Sequence, residues 1–219
     1  MHSPEIYLEP KMRAAKVIDL LEKEYPAAKT ALTYSNPLEI LVATMLSAQT
    51  TDERVNIVTE KLFKKYLKPE DYARVDIKEL EKDIRSTGFY HNKAKNLKKT
   101  CELLIEKYDS QVPKTMDEML ELPGVARKTA NIVLYNAYGM ITGVAVDTHV
   151  RRLSQRIELT EHDDPNKIEQ DLMRITTKEK WMELTDLLIS HGRQVCIARK
   201  PKCAICVLNK FCPCAFAFG

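Results

Sequence analysis

Glycine is scarce in this chain, with six in 219 residues, and tryptophan occurs once. So little glycine excludes collagen-like and low-complexity architectures. No apolar run approaches the ~18 residues that would mark a membrane-spanning helix. The opening Met1-His2-Ser3-Pro4-Glu5 lacks the basic-then-apolar order of a secretory signal. The sequence therefore reads as intracellular, cytoplasmic or nucleoid. Charge of one sign is not in large excess either. Thirty-four Lys and Arg against 31 Asp and Glu leave a net charge of +3, which allows a nucleic-acid partner without showing one. What is present is a sizeable apolar fraction, 44%, enough for a real core. A chain of this length holds one large domain or two small ones.

Apolar residues recur with helical spacing along almost the whole chain. Met12, Ala15, Ile18, Leu21 and Tyr25 share one face of a first helix. Leu38 to Leu46 is nearly all apolar, as in a helix buried on most sides. Val55, Val58, Leu62, Phe63 and Tyr66 mark a third helix, and Leu80 with Ile84 a short fourth. Ala94, Leu97, Cys101, Leu104, Ile105 and Tyr108 form another stripe, in which Cys101 reads as a buried, inert thiol. Thr115 and Glu118 have capping-box spacing. Asp164 before Pro165 gives an N-cap and a first-turn proline for a helix carrying Ile168, Leu172 and Ile175. Trp181, Leu184 and Leu188 carry one more. The only strand-like run, Val144-Ala145-Val146, is too short for a sheet. The expected class is all-α, with roughly ten helices.

Three segments carry chemistry. In the first, a helix ends at Leu122, Pro123 stops it and Gly124 permits a tight turn before Val125. A second helix starts near Ala126, so amides from about Gly124 to Ala126 face outward as an anion site. A plain packing corner accounts equally well for L-P-G-V alone. Arg127-Lys128-Thr129-Ala130-Asn131 then puts two cations in the first turns. There the positive end of the helix dipole, and Arg127 beside it, disfavour an ammonium on Lys128. An ordinary solvated lysine is the competing reading. In the second segment Asp147 precedes Thr148-His149-Val150 and is placed to cap the helix that follows. The third is a crowd of cysteines in the last 24 residues: Cys196-x6-Cys203-x2-Cys206-x5-Cys212, with Cys214 beyond. Four thiolates so spaced suit tetrahedral zinc or a [4Fe–4S] cluster, and coordination chemistry alone leaves both open. Arg199, Lys200 and Lys202 project from the loop between Cys196 and Cys203, as phosphate contacts or as a solvated basic loop.

Together these motifs resemble the endonuclease III family of base-excision glycosylases. L-P-G-V-A-R-K-T-A-N looks like its helix–hairpin–helix, and V-A-V-D-T-H-V-R-R-L (144–153) is similar to its catalytic aspartate segment. L-S-A-Q-T-T-D (46–52) resembles its substrate-pocket strip, G-F-Y-H-N-K-A (88–94) its DNA-wedge loop, and the cysteine order its [4Fe–4S] pattern. The resemblance implies two helical lobes, a six-helix barrel over 30–142 and a second lobe of 1–29 with 143–219. It implies an enzyme acting on double-stranded DNA with damaged bases or abasic sites; a monomer is expected. Lys128 would attack the deoxyribose, expel an oxidised pyrimidine and cut 3′ by β-elimination. Asp147 would stabilise the developing positive charge. Gln49 would fill the space left by the extruded base, and Phe89 would stand at the wedge, though it could equally be core. Ser47 and Asp52 would line the pocket, Asp52 being equally an N-cap. Leu122, Gly124, Val125, Ala126, Arg127, Thr148 and His149 would face DNA. Cys196, Cys203, Cys206 and Cys212 would hold the cluster.

Overall fold

The computed structural model describes residues 8–217. The N-terminal pentapeptide read for an export signal lies outside them. Among the described residues there are eleven α-helices and no strand. No described helix is long and apolar enough to cross a membrane. The chain divides into two compact units, one of residues 31–142 and one of residues 1–30 with 143–219.

The continuous unit holds α2 (Pro37–Leu46), α3 (Asp52–Lys65), α4 (Pro69–Arg74), α5 (Ile77–Ile84), α6 (Tyr90–Lys107), α7 (Met116–Glu121) and α8 (Arg127–Tyr138). Its core runs from Ile40 and Leu46 through Leu62, Tyr72, Leu80, Leu97, Cys101 and Leu104 to Val133 and Leu134. α2 packs against α8, and α6 against α4 and α5. Pro37 opens α2 while the Asn36 side chain accepts the Glu39 amide at 3.0 Å. Thr115 accepts the amide of Glu118 at 3.4 Å, at the start of α7. α3 starts one residue earlier than the sequence suggests. Its N-cap is Thr51, whose hydroxyl accepts the Arg54 amide at 3.3 Å, so Asp52 is the first helical residue and not the cap. α4, unforeseen in the sequence, buries one large side chain, Tyr72.

The split unit holds α1 (Pro10–Glu24), α9 (Thr148–Arg156), α10 (Pro165–Ile175) and α11 (Trp181–Gln194). Ala14, Val17, Leu21, Val150, Leu153, Ile168, Leu172, Leu184, Leu188, Leu208 and Phe211 make its core. The buried face of α1 is therefore Ala14, Val17, Ile18 and Leu21. Met12 and Ala15 are exposed, contrary to the phase read from the sequence. The cause is Arg13, buried beside Ala14 because its guanidinium donates to the Ile157 carbonyl (3.0 Å) and the Glu158 carboxylate (2.9 Å). Asp164 caps α10 by accepting the amides of Asn166 and Lys167. Val144, Ala145 and Val146 are buried, and the Ala145 amide donates to the Thr185 hydroxyl. This buried segment delivers the chain to Asp147.

Candidate active site and iron–sulfur segment

Within the continuous unit, residues from three separated motifs line one cavity of about 240 Å³. Gln49 and Ala48 come from the turn after α2, Phe89, Asn92, Lys93 and Asn96 from the start of α6, and Gly124 from the hairpin. Phe89 is 64% exposed, which settles its sequence ambiguity against the core. Gly124 has φ +81°, and a Cβ there would stand 2.7 Å from Asn96 Nδ2. Both the turn and the close approach demand glycine. The Thr100 hydroxyl donates to the Pro123 carbonyl at 2.9 Å and pins the turn to α6.

The hairpin differs from the sequence expectation in two details. Leu122 is 2% exposed, so its side chain belongs to the core and not to a DNA surface. The Val125 amide donates to the Leu122 carbonyl at 3.0 Å, so it closes the turn and does not face outward. Gly124 and Ala126, on either side, are exposed. Ala126 is the N-cap of α8 and supplies no side-chain cap, unlike Asn36, Thr51 or Asp147 at their helices. Arg127 and Lys128 are the first two residues of α8, both half-buried. Ser47 is the C-cap of α2, its hydroxyl donating to the Thr44 carbonyl at 2.8 Å. Neither Ser47 nor Asp52 is among the residues lining the cavity.

In the split unit, one oxygen of Asp147 accepts the amides of His149 and Val150, each at 2.8 Å. It thereby caps α9 and is itself held in place. Thr148 is exposed. Burial holds the His149 imidazole below its ordinary range, against the opposing pull of Asp147, and its Nδ1 lies 3.1 Å from the Arg152 guanidinium.

Cys196, Cys203, Cys206, Cys212 and Cys214 all line a second cavity, together with Arg156, Pro201, Lys202 and Asn209. A donor set of thiols, with no carboxylate or imidazole lining it, fits an iron–sulfur cluster. Polar ties from the helices hold the segment. Arg156 donates to the carbonyls of Ile197 and Ala198, each at 2.9 Å, and reaches Cys196 Sγ at 3.4 Å. Arg152 donates to the carbonyls of Cys196 and Gly192. Buried His191 lies 3.0 Å from the Tyr25 hydroxyl on one side and 3.3 Å from Cys206 Sγ on the other. The sequence motifs assign no role to these three residues. The signal was available in the one-turn spacing of Arg152 and Arg156 and in a histidine five residues before Cys196. Arg199, Lys200 and Lys202 are exposed on the loop after Cys196.

Residues 42–178 match the family of HhH-GPD superfamily base excision DNA repair proteins, and residues 196–212, which start and end on cysteine, match the iron-sulfur binding domain of endonuclease III. The chain belongs to the endonuclease III family. It is 51% identical over 207 residues to endonuclease III of Synechocystis sp., covering 94% of each chain. It is 46% identical over 196 residues to that of Bacillus subtilis, covering 89% of each. A solved structure described as a trapped endonuclease III-DNA covalent intermediate superposes with a TM-score of 0.90 at 44% identity, over 94% of this chain and 97% of that one. A thermostable thymine-DNA glycosylase, at 24% identity and a TM-score of 0.82 over 92% of this chain and 96% of that one, shares the fold. This endonuclease III relative is accordingly a base-excision-repair enzyme acting on damaged DNA, a DNA glycosylase with AP lyase activity, and its cofactor is a [4Fe–4S] cluster.

Proposed function

We propose that Lys128 is the nucleophile and Asp147 its carboxylate partner. The Lys128 amine attacks C1′ of the deoxyribose as the C1′–N bond to an oxidised pyrimidine breaks; the C1′–O4′ bond of the sugar ring then opens, O4′ takes up a proton, and a Schiff base is left. Loss of a C2′ proton then breaks the C3′–O bond, cutting the strand on the 3′ side. Asp147 carries a negative charge against the positive charge developing on the sugar. The observation that carries this reading is Lys128 in the first turn of α8, directly after the glycine turn. The 44%-identical neighbour described as a covalent intermediate with DNA supports it, because such a species needs a nucleophile on the protein.

The remaining assignments follow the same reading. Gly124 and Ala126 offer their amides to a DNA phosphate at the uncapped start of α8, beside Arg127. Gln49 enters the space left by the extruded base and Phe89 wedges the duplex. Ser47, Asp52, Thr148 and His149 support the pocket or the backbone contact. Cys196, Cys203, Cys206 and Cys212 ligate the cluster, which keeps the segment folded and the loop bearing Arg199, Lys200 and Lys202 in place for phosphate. The enzyme acts as an intracellular monomer, on DNA in the cytoplasm or nucleoid. A duplex with one oxidised pyrimidine tests the chemistry. Base release coupled to a 3′ nick is expected; base release from an uncut strand would sink the lyase role of Lys128.

A further inference from the structure

Lys93 is 7% exposed, yet its ammonium faces three neutral oxygens and no carboxylate among its hydrogen-bond partners. Its Nζ donates to the Leu46 carbonyl at 2.8 Å, the Thr50 hydroxyl at 2.9 Å and the Thr87 carbonyl at 2.7 Å. Burial pushes this lysine down to about 8. A buried charge with only neutral partners is a costly way to fill space, and an apolar side chain would fill it more cheaply. What lysine adds is three donors diverging from one atom.

The three acceptors belong to two separate loops. Leu46 ends α2 and Thr50 precedes α3, so they bracket Gln49. Thr87 closes the 3-10 turn Arg85–Thr87 and leads through Gly88 to Phe89. The Thr50 hydroxyl donates in turn to the Thr87 carbonyl, joining the two loops a second time. Gln49 has φ +55° and Phe89 φ +47°. Left-handed backbone at residues with side chains is strained and persists only where the surroundings over-determine it. The two strained residues line the same cavity as Lys93.

We infer that Lys93 is a positioning residue, whose ammonium staples the Gln49 loop to the Phe89 loop so that base filling and wedging act as one rigid unit. The inference rests on the roles proposed above for those two side chains. A duplex lesion requires the base to be displaced; an abasic site in a single strand does not. The readout is therefore the ratio of the single-turnover rate on a duplex lesion to that on a single-stranded abasic site, measured on the full-length holoenzyme.

Lys93→Met is expected to lower that ratio about tenfold, since small misplacements of positioning groups cost rate steeply. Faster hydrogen exchange over residues 46–51 and 86–90 should accompany the loss. Thr50→Val, a milder change that removes the second tie, should lower the ratio about threefold by the same reasoning. It carries the test if Lys93→Met does not fold. Proportional loss of both rates in Lys93→Met, or an unchanged ratio in a folded Thr50→Val, would overturn the inference. Gln49→Ala and Phe89→Ala separate the premises. If both leave the ratio unchanged, the base-displacement roles themselves are wrong; if they lower it and Lys93→Met does not, only the staple is wrong.

Discussion

The hairpin and the cysteine segment both present backbone and cations in the sense proposed for DNA contact, but they are built by opposite means. Leu122 and Val125 anchor the hairpin in an apolar core, and a glycine fits where no side chain can. The described part of the cysteine segment contains no α-helix. It is tied down through carbonyls and sulfurs by Arg152, Arg156 and His191. The hairpin should therefore be as stable as the core beneath it. The cysteine segment should be only as stable as its cofactor, because a site that needs its cofactor to fold couples binding to folding.

Removing the cluster should bring out this difference most sharply. Cys203→Ser is expected to lose the absorbance near ~400 nm that an iron–sulfur chromophore gives. Amides of 196–212 should then exchange freely while those of 31–142 keep their protection. Simultaneous loss in both units would contradict the comparison. Leu97→Ala attacks the other side. This wholly buried residue should cost about 2–5 kcal/mol in denaturant unfolding of the continuous unit, with cluster absorbance retained in the folded fraction. Gly124→Ala should cost about 2 kcal/mol by calorimetry, from a strained φ and a collision with Asn96. Asn96→Ala, by removing the obstacle, should recover part of that loss.

A smaller effect sharpens the account of α11. Burial raises Asp186 from 3.8 to about 6, only partly offset by Arg193. Between these values the folded state holds more protons than the unfolded one, so stability falls as pH rises from 4 to 6. Above that window the ionised carboxylate is a standing penalty. Asp186→Asn should therefore raise stability by about 1–2 kcal/mol at pH 7 and lose its advantage near pH 3.5. Thermal melts at the two pH values check the sign.

Local chemistry was legible in the sequence. Thr115 and Asp164 cap helices because a short polar side chain reaches amides two or three residues on, whatever the rest of the fold does. Features that depend on distant partners were not. The phase of α1 turned on Arg13, whose acceptors lie more than 140 residues away. α4 spans six residues, too few turns for a period to show. Asp52 and Thr51 are adjacent and both suited to capping, and only geometry separates them. At the site, Gln49, Phe89 and Gly124 came from separate motifs, and the structure supplies the cavity they share. Lys93 has no role legible in its own segment, because its three acceptors come from two other segments.

The proposed chemistry turns on Lys128. Borohydride reduction during turnover on a duplex with one damaged pyrimidine converts a Schiff base into a stable covalent adduct. The wild-type enzyme should give an adduct that maps by peptide mass to Lys128, and Lys128→Ala should give none while keeping its cluster absorbance. An adduct that persists in Lys128→Ala, or none at all in the wild type, would contradict the account.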